Sequence, residues 1–155
     1  MAGESALGEA QGLPIALMEA LARDIPVLGI GWGMQALNVA LGGSPPVPVE
    51  GHGPGPDSGP VKQQIFLSPG GKVSYTIGGS GWVSVPCGHT HGIRSAQMAP
   101  GLLASAYARD GVVEALERPG RHWAIGVQWR AHLTANLPKG FDNLLLALVE
   151  RAGTG

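Results

Sequence analysis

The chain has 155 residues, 44% of them hydrophobic and only 14% charged, with a formal net charge of −1. That is enough apolar material for one domain with a core, and too much for a disordered chain. The near-neutral balance excludes binding driven by attraction to nucleic acid or anionic membranes, and no apolar run approaches the ~20 residues that span a bilayer. Met1-Ala2-Gly3-Glu4-Ser5 lacks the basic start and apolar stretch of a secretory signal. Cys87, the single cysteine, allows no internal disulfide, so the expected compartment is the reducing cytoplasm.

A single domain over 1–155 is expected, and residues 1–12, small and Gly/Ala-rich, read as a flexible lead-in. Leu13–Arg23 follows as an amphipathic helix with Leu17, Ala20 and Leu21 at helical spacing. A short apolar strand, Pro26–Ile30, then runs through a glycine turn into a helix over Gly33–Leu41, stopped by Gly42-Gly43. Such a turn exposes one side chain above a sheet, beside unpaired helix amides that can hold an anion. It is the scaffold for a nucleophile, yet it carries Gly31 and Trp32, neither of which can attack a carbonyl.

Residues 44–60 hold six of the 13 prolines and form a loop internal to the domain, because proline and glycine break both helix and strand there. Short strands are expected next at Val61–Leu67, Lys72–Ile77 and Trp82–Val85. Leu102–Ala108 and Val112–Glu117 flank Arg109-Asp110-Gly111 as a hairpin, and Ala124–Gln128 reads as a buried strand. Phe141, Leu144, Leu145 and Leu148 mark one face of a closing helix begun near Gly140. The fold class is α/β, with a parallel core sheet and antiparallel rim strands.

Three blocks carry a family resemblance. Arg23–Ile30 with Gly33-Met34-Gln35-Ala36-Leu37-Asn38-Val39-Ala40-Leu41-Gly42-Gly43 resembles the class I glutamine amidotransferase-like superfamily, whose fold is flavodoxin-like. Within it the chain is most similar to the gamma-glutamyl-gamma-aminobutyrate hydrolases, which read Gly-Ile-Cys-Arg-Gly-Met-Gln here. Asp110–Glu117 followed by Ile125-Gly126-Val127-Gln128-Trp129 resembles the segment before that family's catalytic histidine and glutamate. Val85-Pro86-Cys87-Gly88-His89-Thr90-His91-Gly92-Ile93 is similar to its substrate-pocket loop.

The resemblance implies amide hydrolysis by a thiolate, with a histidine moving protons and a glutamate orienting it. It also shows what this chain lacks. Gly31 stands at the cysteine's position and Trp32 at the arginine's, while Arg130-Ala131-His132 replaces His-Pro-Glu. Arg130 stays protonated and cannot serve as a base. The expectation is therefore a catalytically degenerate protein that binds a small glutamate-like carboxylate, with Gly31, Trp32, Gly33, Gln35, Cys87, His89, His91 and Arg130 as the ligand-binding set. For Arg130 a surface cation and a new carboxylate-binding group are equally open readings. A competing reading keeps hydrolase activity by rewiring to Cys87 with His89 or His91.

A third reading makes Cys87, His89 and His91 soft or borderline metal ligands, with His132 or His52 as a fourth, although their spacing is not that of a usual zinc motif. Gly29-x-Gly31-x-Gly33 lacks the Gly-x-Gly-x-x-Gly spacing of dinucleotide sites, so no cofactor is expected. Family members carry further βα units ahead of the helix at Leu13. Their absence would leave the Pro26–Ile30 strand with an open edge, and the expected partner is a second copy or a separate chain completing the sheet.

Overall fold

Why the Pro26–Ile30 segment lies where it does follows from its neighbours. In the computed structural model, which describes residues 12–53, 61–132 and 134–153, strand β1 (Val27–Ile30) pairs in parallel with β8 (Ala124–Val127), register Leu28 to Ile125 and Gly29 to Gly126. The remaining strands are β3 (Val61–Leu67), β4 (Gly81–Cys87), β6 (Leu103–Ala108) and β7 (Val113–Glu117), in a six-stranded sheet of order β1-β8-β7-β6-β3-β4. All the other pairings in it are antiparallel, so among the described residues parallel pairing is confined to β1 and β8. Every residue of β7 and β8 is buried, as expected of strands covered on both faces.

One face of the sheet is covered by α1 (Gly12–Ala22) and α2 (Trp32–Ala40), where Leu21, Met34 and Leu37 pack with Ile93, Val113, Leu116 and Ala124. The other is covered by α3 (Lys72–Ile77) and α4 (Asn143–Gly153), with Val73, Ile77, Phe141 and Leu144 on Ile65, Val85, Ile125 and Trp129. The apolar faces expected at Leu17, Ala20 and Leu21 and at Phe141 and Leu144 are the ones turned inward. Strand bounds match the expected ones within two residues for Val61–Leu67, Gly81–Cys87, the Leu103–Glu117 hairpin and Ala124–Val127.

Lys72–Ile77 is a correction: it is a helix, not a strand. Its β-branched residues favour a strand locally, but a carboxylate from another element decides otherwise. Glu117 on β7 accepts hydrogen bonds from the Lys72 and Val73 amides at 2.8 and 3.2 Å and from Ser105 Oγ at 2.7 Å. It thereby satisfies the helix N-terminus that no local side chain caps. Gly78, left-handed at φ 92°, closes the far end with its amide on Ser74 O.

The Pro/Gly loop holds a two-residue strand β2 (Val47–Pro48) that pairs antiparallel with β5 (His91–Gly92). Residues 54–60 of that loop, and 1–11 of the expected lead-in, lie outside the described residues. Asn38, fully buried on α2, anchors the neighbouring chain: its Nδ2 donates to Ser44 O and Gln97 O, and its Oδ1 accepts from the Ala99 amide.

Candidate functional site

The turn after β1 is the sharp elbow expected of a nucleophile position. Gly31 adopts φ 58°, ψ −115°, a conformation that favours glycine. Its amide donates to Val127 O at 2.7 Å and its carbonyl accepts from Met34 N at 3.0 Å, so the elbow is tied to β8 on one side and α2 on the other. Close approach is also needed two residues earlier, inside β1, because a Cβ on Gly29 would lie 2.5 Å from Gly33 O. Above Gly31 there is room: a Cβ there would have Gln128 O at 4.0 Å as its nearest neighbour. The geometry for a projecting side chain is present, and the side chain is not.

The elbow opens into a cleft of about 630 Å³, lined by Gly31, Trp32 and Gln35 from the β1–α2 turn, with His89, His91 and Arg130 facing them. Six of the eight expected binding residues thus line one cavity. Gly33 is beside it in the first helical turn, and Cys87 is buried behind it at the end of β4. Gln35 is a strut: its Nε2 donates to His91 O at 3.0 Å and to Gln128 Oε1 at 3.2 Å, joining α2 to β5 and to the residue after β8.

Arg130 is exposed at the cleft. Its guanidinium lies against Gly88, where a Cβ would stand 3.0 Å from Nη2, and its amide donates to Pro86 O. Position therefore makes it both a surface cation and a cleft cation. Trp32 is 44% exposed, so it borders the cavity instead of filling it. His132 is exposed and is not part of the lining.

Cys87 is 3% exposed, and burial, reinforced by the Glu114 carboxylate and only partly offset by Arg130, pushes its thiol up to about 12. It is a protonated, inert sulfur at neutral pH. Nor does an imidazole turn toward it: His89 points its Nε2 at Glu114 Oε1, 3.5 Å away, and its Nδ1 at His91 O, 2.8 Å away. His91 is exposed, with Nδ1 3.1 Å from Thr90 Oγ1.

The groups that the structure does bring together are His52, His89 and Glu114, whose ligating atoms all lie within 4.8 Å of one another. Glu114 and His52 are buried, at 0% and 1% exposure. His52 Nδ1 lies 3.1 Å from Glu114 Oε1, and its Nε2 lies 2.7 Å from Asp110 Oδ2. The adjacent Glu114 carboxylate holds His52 above the ordinary imidazole range, with burial opposing and Asp110 assisting. Asp110 in turn is held below the usual carboxylate range, His52 and the Val112 amide outweighing its burial.

Sequence reasoning considered His52 and His89 but not Glu114 or Asp110. The available signal was a glutamate in the middle of an otherwise apolar run, Val112-Val113-Glu114-Ala115-Leu116.

Comparison with known proteins agrees with this architecture. The Peptidase C26 family model matches residues 11–132. A Mycobacterium tuberculosis protein, provisionally described as a glutamine amidotransferase, is 40% identical over 144 residues, which is 88% of this chain and 43% of that protein. The chain thus spans less than half the length of this curated relative.

Among solved structures, a Thermoplasma acidophilum protein, provisionally described as one component of a GMP synthase, superposes with a TM-score of 0.71 at 15% identity, covering 95% of this chain and 67% of that one. A glutamine amidotransferase from Thermotoga maritima gives 0.68 at 16% identity, covering 97% and 58%. At such identities the superpositions speak for the fold, a class I glutamine amidotransferase fold. The family match and the 40% identical relative go further, and on them this chain belongs to the Peptidase C26 family.

Proposed function

We propose that this chain is a catalytically degenerate glutamine amidotransferase-like protein whose cleft binds a small glutamate-like carboxylate without hydrolysing an amide. The observation that carries this reading is the elbow: a strained nucleophile turn that holds Gly31 where a reactive side chain would project. Amides at the start of α2 and the Arg130 guanidinium, which lines the same cleft, suit an anionic ligand. Arg130 cannot act as the base that stands at its position in the related hydrolases, and Ala131 and His132 supply no carboxylate. The rewired alternative needs a thiolate at Cys87, and a buried thiol pushed up to about 12 works against it.

The reading extends to a partner. β1 is the end strand of the sheet among the described residues, and the helices on both faces of the sheet expose apolar side chains, Ile15 and Met18 on α1 and Leu146 and Val149 on α4, as does Ile25 just before β1. We propose that a second copy covers this side. No described helix is long and apolar enough to cross a membrane.

Calorimetric titration with glutamine tests the ligand assignment and the loss of turnover together. The expected trace is a saturable one-site isotherm, weakened at least tenfold in Arg130→Gln. Continuous heat flow with ammonia release would mean an active amidase, and no heat with either glutamine or glutamate would remove the ligand assignment.

A further inference from the structure

We infer that His52, His89 and Glu114 form a three-ligand site for a divalent transition metal ion of the zinc type, set behind the cleft wall. This inference does not rest on the cleft's occupant or on the loss of turnover. It begins with where the imidazole protons must be. His89 Nδ1 faces the His91 carbonyl at 2.8 Å, and a carbonyl can only accept, so the proton sits on Nδ1. His52 Nε2 faces the Asp110 carboxylate at 2.7 Å, which places its proton on Nε2. In the neutral imidazoles the two remaining nitrogens, His52 Nδ1 and His89 Nε2, are lone-pair nitrogens, and both are aimed at one oxygen of Glu114.

That arrangement is repulsive unless something positive lies among the three. Among the described residues, His52 Nδ1, His89 Nε2 and both Glu114 oxygens are buried without a hydrogen-bond partner. A carboxylate with 0% exposure is strongly disfavoured unless a cation compensates it. Two of the three spacings suit a metal directly, 3.1 Å from His52 Nδ1 to Glu114 Oε1 and 3.5 Å from His89 Nε2 to the same oxygen, and all the ligand atoms lie within 4.8 Å of one another. Ligands on a tetrahedral zinc with bonds of about 2.0–2.1 Å stand roughly 3.3 Å apart.

The outer contacts match as well. A carboxylate on the far nitrogen of one histidine and a backbone carbonyl on that of the other are the supports that orient metal-bound imidazoles. Two imidazoles and one carboxylate are a borderline donor set, suited to zinc or cobalt over calcium or magnesium. His89 is shared with the cleft lining, so the site adjoins the cleft. Cys87 stays outside the set, which is therefore not the one that the spacing of Cys87, His89 and His91 suggests.

The experiment is metal loading of the whole chain with zinc, and in parallel with cobalt(II), after chelator treatment and desalting. One equivalent of zinc per chain is expected by elemental analysis, together with a rise in thermal midpoint and visible cobalt absorption of four-coordinate intensity. Glu114→Gln keeps the side-chain shape and should weaken binding at least tenfold, and so should His89→Gln. Asp110→Asn, which alters only the support, should weaken it about 10–100-fold. Cys87→Ser and His132→Ala should retain one equivalent.

If Glu114→Gln unfolds the chain, Asp110→Asn decides, since Asp110 is partly exposed. Three results would overturn the site: no zinc retained by the wild type, unchanged affinity in whichever of these variants folds, or loss of the equivalent in Cys87→Ser.

Discussion

Gly31 and Cys87 divide between them what a nucleophile requires. Gly31 has the position, above the sheet and at a helix N-terminus, with no side chain, whereas Cys87 has the sulfur in a place that keeps it protonated. Native protein should therefore resist iodoacetamide at neutral pH and be labelled within minutes once unfolded in urea; rapid native labelling would show that the thiol is accessible and ionised. Linkage gives a second readout. A folded-state value raised from 9.0 to about 12 contributes stability that is present below pH 9 and is lost as pH rises toward 12. Wild type should lose stability across that window more steeply than Cys87→Ser, as measured by urea midpoints.

Restoring a thiol at the elbow is the converse experiment. Outside its chain neighbours the nearest atom to a Cβ at Gly31 is 4.0 Å away, so the Cβ of Gly31→Cys has room. The positive φ costs about 1–3 kcal/mol. The variant should fold with that loss and gain a fast-labelling thiol beside the α2 amides. The elbow was legible in the sequence because glycine spacing reports backbone geometry directly. Glu114 was not, because what makes it significant is two histidines brought from residues 52 and 89 by the fold.

At the scale of elements, α3 shows how a distant residue overrides local preference. Val73, Thr76 and Ile77 favour extended chain, and the Ser68-Pro69-Gly70-Gly71 turn before them is compatible with either outcome. The Glu117 carboxylate across the core supplies the missing cap. Glu117→Ala should cost about 3 kcal/mol, since it strands two helix amides and the Ser105 hydroxyl, and urea denaturation measures it. A loss below about 1 kcal/mol would mean that α3 forms without that cap. Elements whose signals are local came through the sequence with their bounds nearly intact, as in the Leu103–Glu117 hairpin around its Gly111 turn and the α4 face of Phe141 and Leu144.

For the whole molecule, the α/β class and its flanking helices were readable, while the balance of parallel and antiparallel pairing was not. Strand order depends on which segments meet across long separations, and β1 meets β8 nearly a hundred residues later. The end position of β1, with apolar side chains exposed on α1 and α4, leads to the expectation of a dimer in sedimentation velocity. Val149→Glu or Ile25→Lys should shift it to monomer without unfolding, and a wild type that sediments as a monomer at all concentrations would oppose the proposed second copy.

In the proposed function the cleft holds a nucleophile turn with no nucleophile on it. Intact-mass analysis after exposure to a glutamine-like electrophile is the decisive test, beside a Cys87→Ser control and an active Peptidase C26 enzyme. No adduct is expected on this chain under conditions that fully modify the active enzyme. Stoichiometric labelling that glutamate slows and Cys87→Ser abolishes would contradict that expectation and make Cys87 the nucleophile.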